Sequence, residues 1–245
     1  WSASWCRKNG DDGSPFHARF LGMNWKKTFT SFLLVALLIA LSYAFLDRRI
    51  ALLVKHLWLF SHRFSFFSTE IPDFLPHVVI LITGTAWIVF FYLIRKNIYN
   101  THTRFFQLIA ITVPLAHVVK AILKFAFGRI NTRYWLQHPH AIEFHWFHGS
   151  ANFHGFPSGH TAVFTVLAVA CSTYYPRYQS FYFAGLTLLA LALIVTNYHF
   201  LSDIIAGAYV GVLVHAVTHY CLTFQRGPKD EDMAKSGWSL WSANR

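Results

Sequence analysis

His199 and Asp203 stand four residues apart in Tyr198-His199-Phe200-Leu201-Ser202-Asp203, and Asp203 is one of only two acidic residues between Phe74 and Gly227, the other being Glu143. On a helix that spacing puts imidazole and carboxylate on one face. A carboxylate bonded to one ring nitrogen fixes the tautomer and leaves the other nitrogen free as nucleophile or base. The plain alternative is an N-cap aspartate beside an interfacial histidine. A second cluster, Pro157-Ser158-Gly159-His160, directly precedes an apolar run. Ser158 has the chemistry of an N-cap, and Gly159 adds no bulk where the first backbone N–H groups of a helix are unpaired, so this start is an anion site. His160, in the first turn, is placed to protonate a leaving oxygen. Its alternative is an ordinary Ser-capped helix. Third come four cations without an acid near them in sequence, Lys120, Lys124, Arg129 and Arg133. They repel one another unless an anion sits among them or they reach out to lipid headgroups.

Such side chains act together only if the fold gathers them. Hydrophobic residues make up 55% of the 245-residue chain and charged residues 13%, against about a quarter charged in soluble domains. The apolar residues lie in runs long enough to cross about 30 Å of hydrocarbon. Six candidate helical spans follow, 28–46, 74–94, 105–127, 159–176, 180–198 and 203–224. The expected fold class is therefore an all-α membrane protein with six transmembrane helices. In the first outer loop, 47–73, the stretch from Ile50 to Phe67 mixes Leu52, Leu53, Leu57 and Trp58 with Lys55, His56 and Arg63. That composition suits an interfacial helix, or equally a helix capping the bundle. Basic residues outside the spans number thirteen on the side of the N-terminus and six on the other. This places both termini in the cytoplasm and the loops 47–73 and 128–158 outside. The end of the third span, the start of the fourth and the junction of the fifth and sixth then share the outward face, and the three polar clusters converge there.

Residues 1–22 are polar and read either as a native leader or as an extension placed ahead of Met23; 23–225 form the membrane domain, and 226–245 a polar cytoplasmic tail. The net charge of +11 is spread between apolar runs without a basic block, which points to topology and an anionic membrane surface as its partner and not to nucleic acid. Cys6, Cys171 and Cys221 supply no disulfide framework. Gly207 and Gly211, four apart on the last span, read as a helix-packing face.

The ordered set resembles the phosphatidic acid phosphatase type 2 superfamily, whose signature is Lys-x6-Arg-Pro, then Pro-Ser-Gly-His, then Ser-Arg-x5-His-x3-Asp. Pro157-Ser158-Gly159-His160 matches the second motif in full, and His199-x3-Asp203 matches the end of the third. The resemblance, over roughly residues 75–225, implies the family's integral membrane branch with its six-helix layout. It implies that His199 attacks phosphorus, that Asp203 orients it and that His160 is the general acid. It also implies phosphate binding by Lys124 as the first-motif lysine, by Arg129 in the Gly128-Arg129 pair that often precedes the first-motif arginine, and by Ser158 and Gly159. Two family arginines are replaced: Asn131 and Thr132 stand for the Arg-Pro of the first motif, and Leu193 for the arginine of the third. Arg133 is the expected stand-in, with Lys120 as a background charge.

The expected activity is hydrolysis of a lipid phosphomonoester or diphosphate at the outer face of a bacterial inner membrane, through a phosphohistidine and with no metal or cofactor. The partners are a membrane lipid phosphate as substrate and the bilayer itself. Two other classes compete. A metal-dependent hydrolase is suggested by His138, His140, His145, His148, His154 and His160, although carboxylate support is scarce there. A lipid or anion transporter would instead need polar residues deep in several spans. The Gly-x-Ser-Gly of an intramembrane serine protease is absent, since Phe156 occupies its first position.

Overall fold

The charged triplet Asp47-Arg48-Arg49, expected to end the first span, does not interrupt it. Helix α1 (Trp25–Leu41) passes through a π-helical stretch, Ser42–Leu46, straight into α2 (Asp47–Trp58). The physical reason is that Asp47 is 1% exposed and ion-paired inside the bundle, so its charge calls for no helix end at water. The computed structural model describes residues 25–58 and 64–224. The leader 1–22, the tail 226–245 and residues 59–63 of the expected first loop lie outside the described residues. What was expected as loop 47–73 is thus helical up to Trp58 and again from Phe64, where α3 (Phe64–Arg95) begins. The amphipathic segment anticipated there is α2, which packs its Ala51 and Val54 inward and exposes Leu52, Leu53 and Leu57.

The chain continues through α4 (Thr101–Phe127), the short α5 (Thr132–Gln137), α6 (Gly159–Tyr174), α7 (Gln179–Val195) and α8 (Leu201–Phe224). Among the described residues five helical stretches, 28–57, 74–95, 101–127, 176–195 and 201–223, are long and apolar enough to cross a membrane. The expected span 159–176 is shorter, because Tyr175 and Pro176 end α6 after 16 residues, about 24 Å of helix. It occupies the middle of the bundle. Val163, Val166 and Ala170 of α6 are buried with Leu108, Ile109, Val113 and Ala116 of α4, Val79 and Ala86 of α3 and Val214 of α8. A helix enclosed by protein does not need the apolar length that faces lipid. The outer helices carry that surface: Leu34 on α1, Leu81 and Ile88 on α3 and Phe181 and Leu188 on α7 are all more than half exposed, as expected where lipid takes the place of water.

Two local features aim this framework at one end of the bundle. On α8, a Cβ at Gly207 would strike the Ser158 carbonyl, and one at Gly211 the Ala162 carbonyl. These glycines let α8 lie directly against α6, in keeping with the packing role expected of them. At the end of α4, Gly128 adopts a left-handed conformation (φ 50°) while its N–H bonds the Lys124 carbonyl at 2.9 Å. Only glycine fits, since a Cβ there would collide with the His145 carbonyl. The turn sends the chain back over the helix ends. Ile130 N–H donates to the Glu143 carbonyl at 2.8 Å, His145 N–H to the Gly128 carbonyl at 2.9 Å and Gly155 N–H to the Arg129 carbonyl at 2.8 Å. The long outer loop is thereby stitched to the residues that follow α4.

Candidate active site

The ends of α4, α6 and α8 meet around a cavity of about 620 Å³ lined by, among others, Lys120, Lys124, Arg133, His154, Gly159, His160, Tyr198 and His199. The Ser158 backbone N–H donates to the Asp203 carbonyl at 2.9 Å, which ties the start of α6 to the start of α8. Across the cavity the imidazoles of His160 and His199 have centroids 6.1 Å apart, a gap suited to a tetrahedral group held between them. Tyr198 wedges against both rings, at 5.4 Å from His160 and 5.3 Å from His199. The Arg133 guanidinium stacks over Tyr198 at 5.0 Å and donates to the Thr196 carbonyl at 3.3 Å. Arg133 therefore reaches from α5 to the loop before His199, close to where the third-motif arginine is missing.

His199 is 5% exposed and Asp203 fully buried behind it, with Nδ1 of the imidazole 3.7 Å from Asp203 Oδ2. Burial pushes the His199 pKa below its ordinary value, and the raising influence of Asp203 and of the Gly155 backbone only partly offsets this. The imidazole is thus held neutral around pH 7, the form a nucleophile needs. Asp203 Oδ2 also accepts the Phe200 N–H at 3.1 Å, which caps α8. One carboxylate thus caps α8 and stands beside the His199 ring.

Two expected phosphate ligands lie elsewhere. Arg129 does not line the cavity. It is 1% exposed, and its Nη1 donates to Asp203 Oδ1 at 2.5 Å and to Ser202 Oγ at 2.6 Å, while Nη2 donates to Asp47 Oδ2 at 2.8 Å. Glu143 stands 3.7 Å from the same Nη2 and pairs on its other side with Arg48 at 2.6 Å. Phe200, Tyr43 and Phe144 stack on the guanidinium at 4.5, 5.1 and 5.5 Å. Burial alone would weaken the charge of Arg129, but Asp203 and Asp47 outweigh it and hold the pKa above the ordinary arginine value. The carboxylates claim this cation, and the Gly128 turn directs it away from the cavity. The Ser158 hydroxyl is likewise fully buried and accepts from the Thr161 hydroxyl at 2.9 Å and the Thr161 N–H at 3.4 Å, so it caps α6 and does not face the cavity.

Lys120, expected as a background charge, comes to the site. A Cβ at Gly159 would fall 2.9 Å from Lys120 Cδ and 3.3 Å from its ammonium nitrogen. Lys120 lies across Gly159, at the start of α6. Asn131, which stands in the place of the first-motif arginine, also lines the cavity. Asp47, Ser202 and Tyr198 carried no motif signal of their own. The histidine-rich loop packs instead of converging, with His145 and His148 against Phe153 at 4.2 and 5.1 Å and His138 on Tyr134 at 4.4 Å. Among the described residues no group of three His, Cys, Asp or Glu side chains is arranged to hold a metal ion. His154 reaches the cavity, and burial together with the nearby Lys124 lowers its pKa.

The profile described as PAP2 superfamily matches residues 105–226, a segment that starts in α4 and contains His160, His199 and Asp203. Two proteins named Lipid A 1-phosphatase, from Rhizobium johnstonii and Rhizobium etli, are each 28% identical over 130 residues, 53% of this chain and 52% and 54% of theirs. The chain spans about half the length of the curated relatives it matches. No solved structure matches it significantly. With its second motif intact, its paired histidines facing across one cavity and the profile match covering both, the chain belongs to the PAP2 superfamily and is distantly homologous to lipid A 1-phosphatases.

Proposed function

We propose that the protein is a lipid phosphatase, hydrolysing a phosphomonoester or diphosphate of a membrane lipid through a phosphohistidine. The observation that carries the reading is the facing pair His160 and His199, with Asp203 behind one and the α6 start, Lys120 and Lys124 beside the other. Because Nδ1 of His199 faces Asp203, Nε2 is the atom that attacks phosphorus. As the N–P bond forms, the bond to the lipid oxygen breaks and His160 gives that oxygen a proton. Water then attacks the phosphohistidine, His160 takes its proton, and inorganic phosphate leaves with His199 restored. Lys120, Lys124, Arg133 and the Gly159 N–H hold the equatorial oxygens, the preorganised positive charge that phosphoryl transfer mainly requires. Lys120 and Arg133 stand in for the two missing arginines.

The lining cations lie at one end of the bundle, as a reaction site needs, whereas a translocation path would need them along its length. With α6 counted with the five long helices the chain crosses the membrane six times, and the distribution of basic residues sets the cavity on the outer face. The substrate is one of polyprenyl diphosphate, phosphatidylglycerol phosphate, phosphatidic acid or a lipid A-type saccharolipid. The last is favoured by the names of the Rhizobium relatives.

Purified protein in detergent should release phosphate from at least one lipid of that panel. His199→Ala should abolish the release and Asp203→Asn leave a trace; undiminished release by His199→Ala would contradict the mechanism. Lys120→Ala and Arg133→Ala should each lower kcat/KM about ten- to a hundredfold, the loss of one charge-assisted hydrogen bond of roughly 1.5–3 kcal/mol. Arg129→Ala should instead destabilise the fold by about 3–5 kcal/mol, read as a lower thermal midpoint, since it strips a buried carboxylate pair of its cation. Kinetic silence of both Lys120→Ala and Arg133→Ala would remove them from the site. In a background free of Cys6, Cys171 and Cys221, a cysteine in place of His140 should react with a membrane-impermeant thiol reagent on intact cells and one in place of Lys96 should not. The reverse labelling would put the cavity on the cytoplasmic side.

A further inference from the structure

We propose that Asp47 is a positioning residue for the nucleophile: from the junction of α1 and α2 it clamps Arg129 and Ser202, and through them fixes the Asp203 carboxylate against His199. The proposal rests on the reading of His199 as the attacking group. Asp47 lies outside the family match at 105–226 and belongs to none of the motifs, yet all its acceptor capacity is engaged within the protein. Oδ1 accepts the Ser202 backbone N–H at 2.9 Å and the Ser42 hydroxyl at 3.0 Å. Oδ2 accepts Arg129 Nη2 at 2.8 Å and the Ser202 hydroxyl. An aspartate that served only to break a helix or face headgroups would not be 1% exposed with four donors turned to it.

The chain of contacts runs on without a gap. The Ser202 oxygen, while donating to Asp47, accepts Arg129 Nη1 at 2.6 Å, and the same Nη1 donates to Asp203 Oδ1 at 2.5 Å. With Oδ1 so anchored, Asp203 presents Oδ2 to the Phe200 N–H at 3.1 Å and to His199 Nδ1 at 3.7 Å. One guanidinium is therefore divided between two carboxylates. Were Asp47 neutral, Arg129 would spend its charge on Asp203 alone, and Asp203 would have less negative charge to offer an imidazolium forming on His199. The charged and titratable groups facing this assembly act in known directions. Lys124 from α4 and His160 from α6 face His199, with Tyr198 beside it; Glu143, backed by Arg48, and Tyr43 face Arg129. Removing the negative charge at residue 47 from this set shifts the His199 titration to lower pH, because a nearby carboxylate favours the protonated ring.

The test is an NMR titration of the full-length protein in detergent with isotope-labelled histidine, the His199 signal being identified by its loss in His199→Gln. In Asp47→Asn the His199 midpoint should fall by about half a pH unit or more. The kcat for lipid phosphate hydrolysis should fall about ten- to a hundredfold with KM nearly unchanged, and Asp47→Glu should recover part of it. Ser202→Ala keeps every charge and removes only the bridging hydroxyl, so it serves if Asp47→Asn does not fold: its His199 resonance should be displaced and its kcat lowered several-fold at constant KM. An unmoved His199 titration in folded Asp47→Asn overturns the proposal, as does an undisplaced resonance in Ser202→Ala. Parallel losses of kcat and thermal midpoint with the titration unmoved would make Asp47 merely structural. If the midpoint shifts as stated but wild-type protein releases no phosphate from any lipid, the clamp stands and the phosphatase reading falls.

Discussion

The structure depends on one buried cation. Arg129 is held by Asp203 and Asp47, with Glu143 at longer range and three aromatic rings stacked around the guanidinium. It joins four parts of the chain: the α1–α2 junction, the turn after α4, the outer loop and the start of α8. Taking such a group out of water costs several kcal/mol per charge, and the cost is offset only where the partners are close and every donor is used. Both terminal nitrogens of the guanidinium are so engaged, Nη1 by Asp203 and Ser202 and Nη2 by Asp47, while Nε is buried without a hydrogen bond. Two guanidiniums, Arg129 and Arg48, meet three carboxylates, Asp47, Asp203 and Glu143, so two positive charges against three negative leave a net charge of −1 in the cluster.

That surplus lies on the far side of His199 from the cavity, whose lining carries Lys120, Lys124 and Arg133. In the proposed mechanism the nucleophile, His199, stands between a negative interior and a positive cavity. Its burial favours the neutral ring, while under that proposal the carboxylate behind it stabilises the positive charge that the ring acquires on attack and the cations in front accept the anionic phosphoryl group. This division explains why Arg129 serves the site from behind. A cation committed to two carboxylates at 2.5 and 2.8 Å cannot also stand in the cavity, and Lys120, laid across Gly159, takes a place there.

The architecture was legible wherever local pattern and tertiary demand agree. Apolar run length marked the five long helices, and Ser158 marked the start of α6. Spacing alone placed His199 and Asp203 together, because a separation of four is one turn in either a helix or its first turn. The failures share a cause. Asp47 looked like a boundary because a charge beside an apolar run ordinarily meets water, and its cation lies 82 residues away, a distance that no local pattern encodes. Arg129 looked like a phosphate ligand because its position in the motif says nothing of which way the Gly128 turn aims it. Lys120 was undervalued because the close approach to Gly159 depends on how α4 packs against α6. Tyr198 belongs to the same class, its neighbours being supplied by three separate elements.

The most direct measurement of the central claim is a rapid-quench experiment on the wild-type protein over its first turnovers, with a lipid radiolabelled in its terminal phosphoryl group. The label should remain on the protein during turnover, survive base, be lost in acid as a phosphoramidate is, and map to the peptide that contains His199. Turnover with no protein-bound label, or label on any other residue, would contradict the assignment of His199 as nucleophile and with it the role given to the carboxylates behind it.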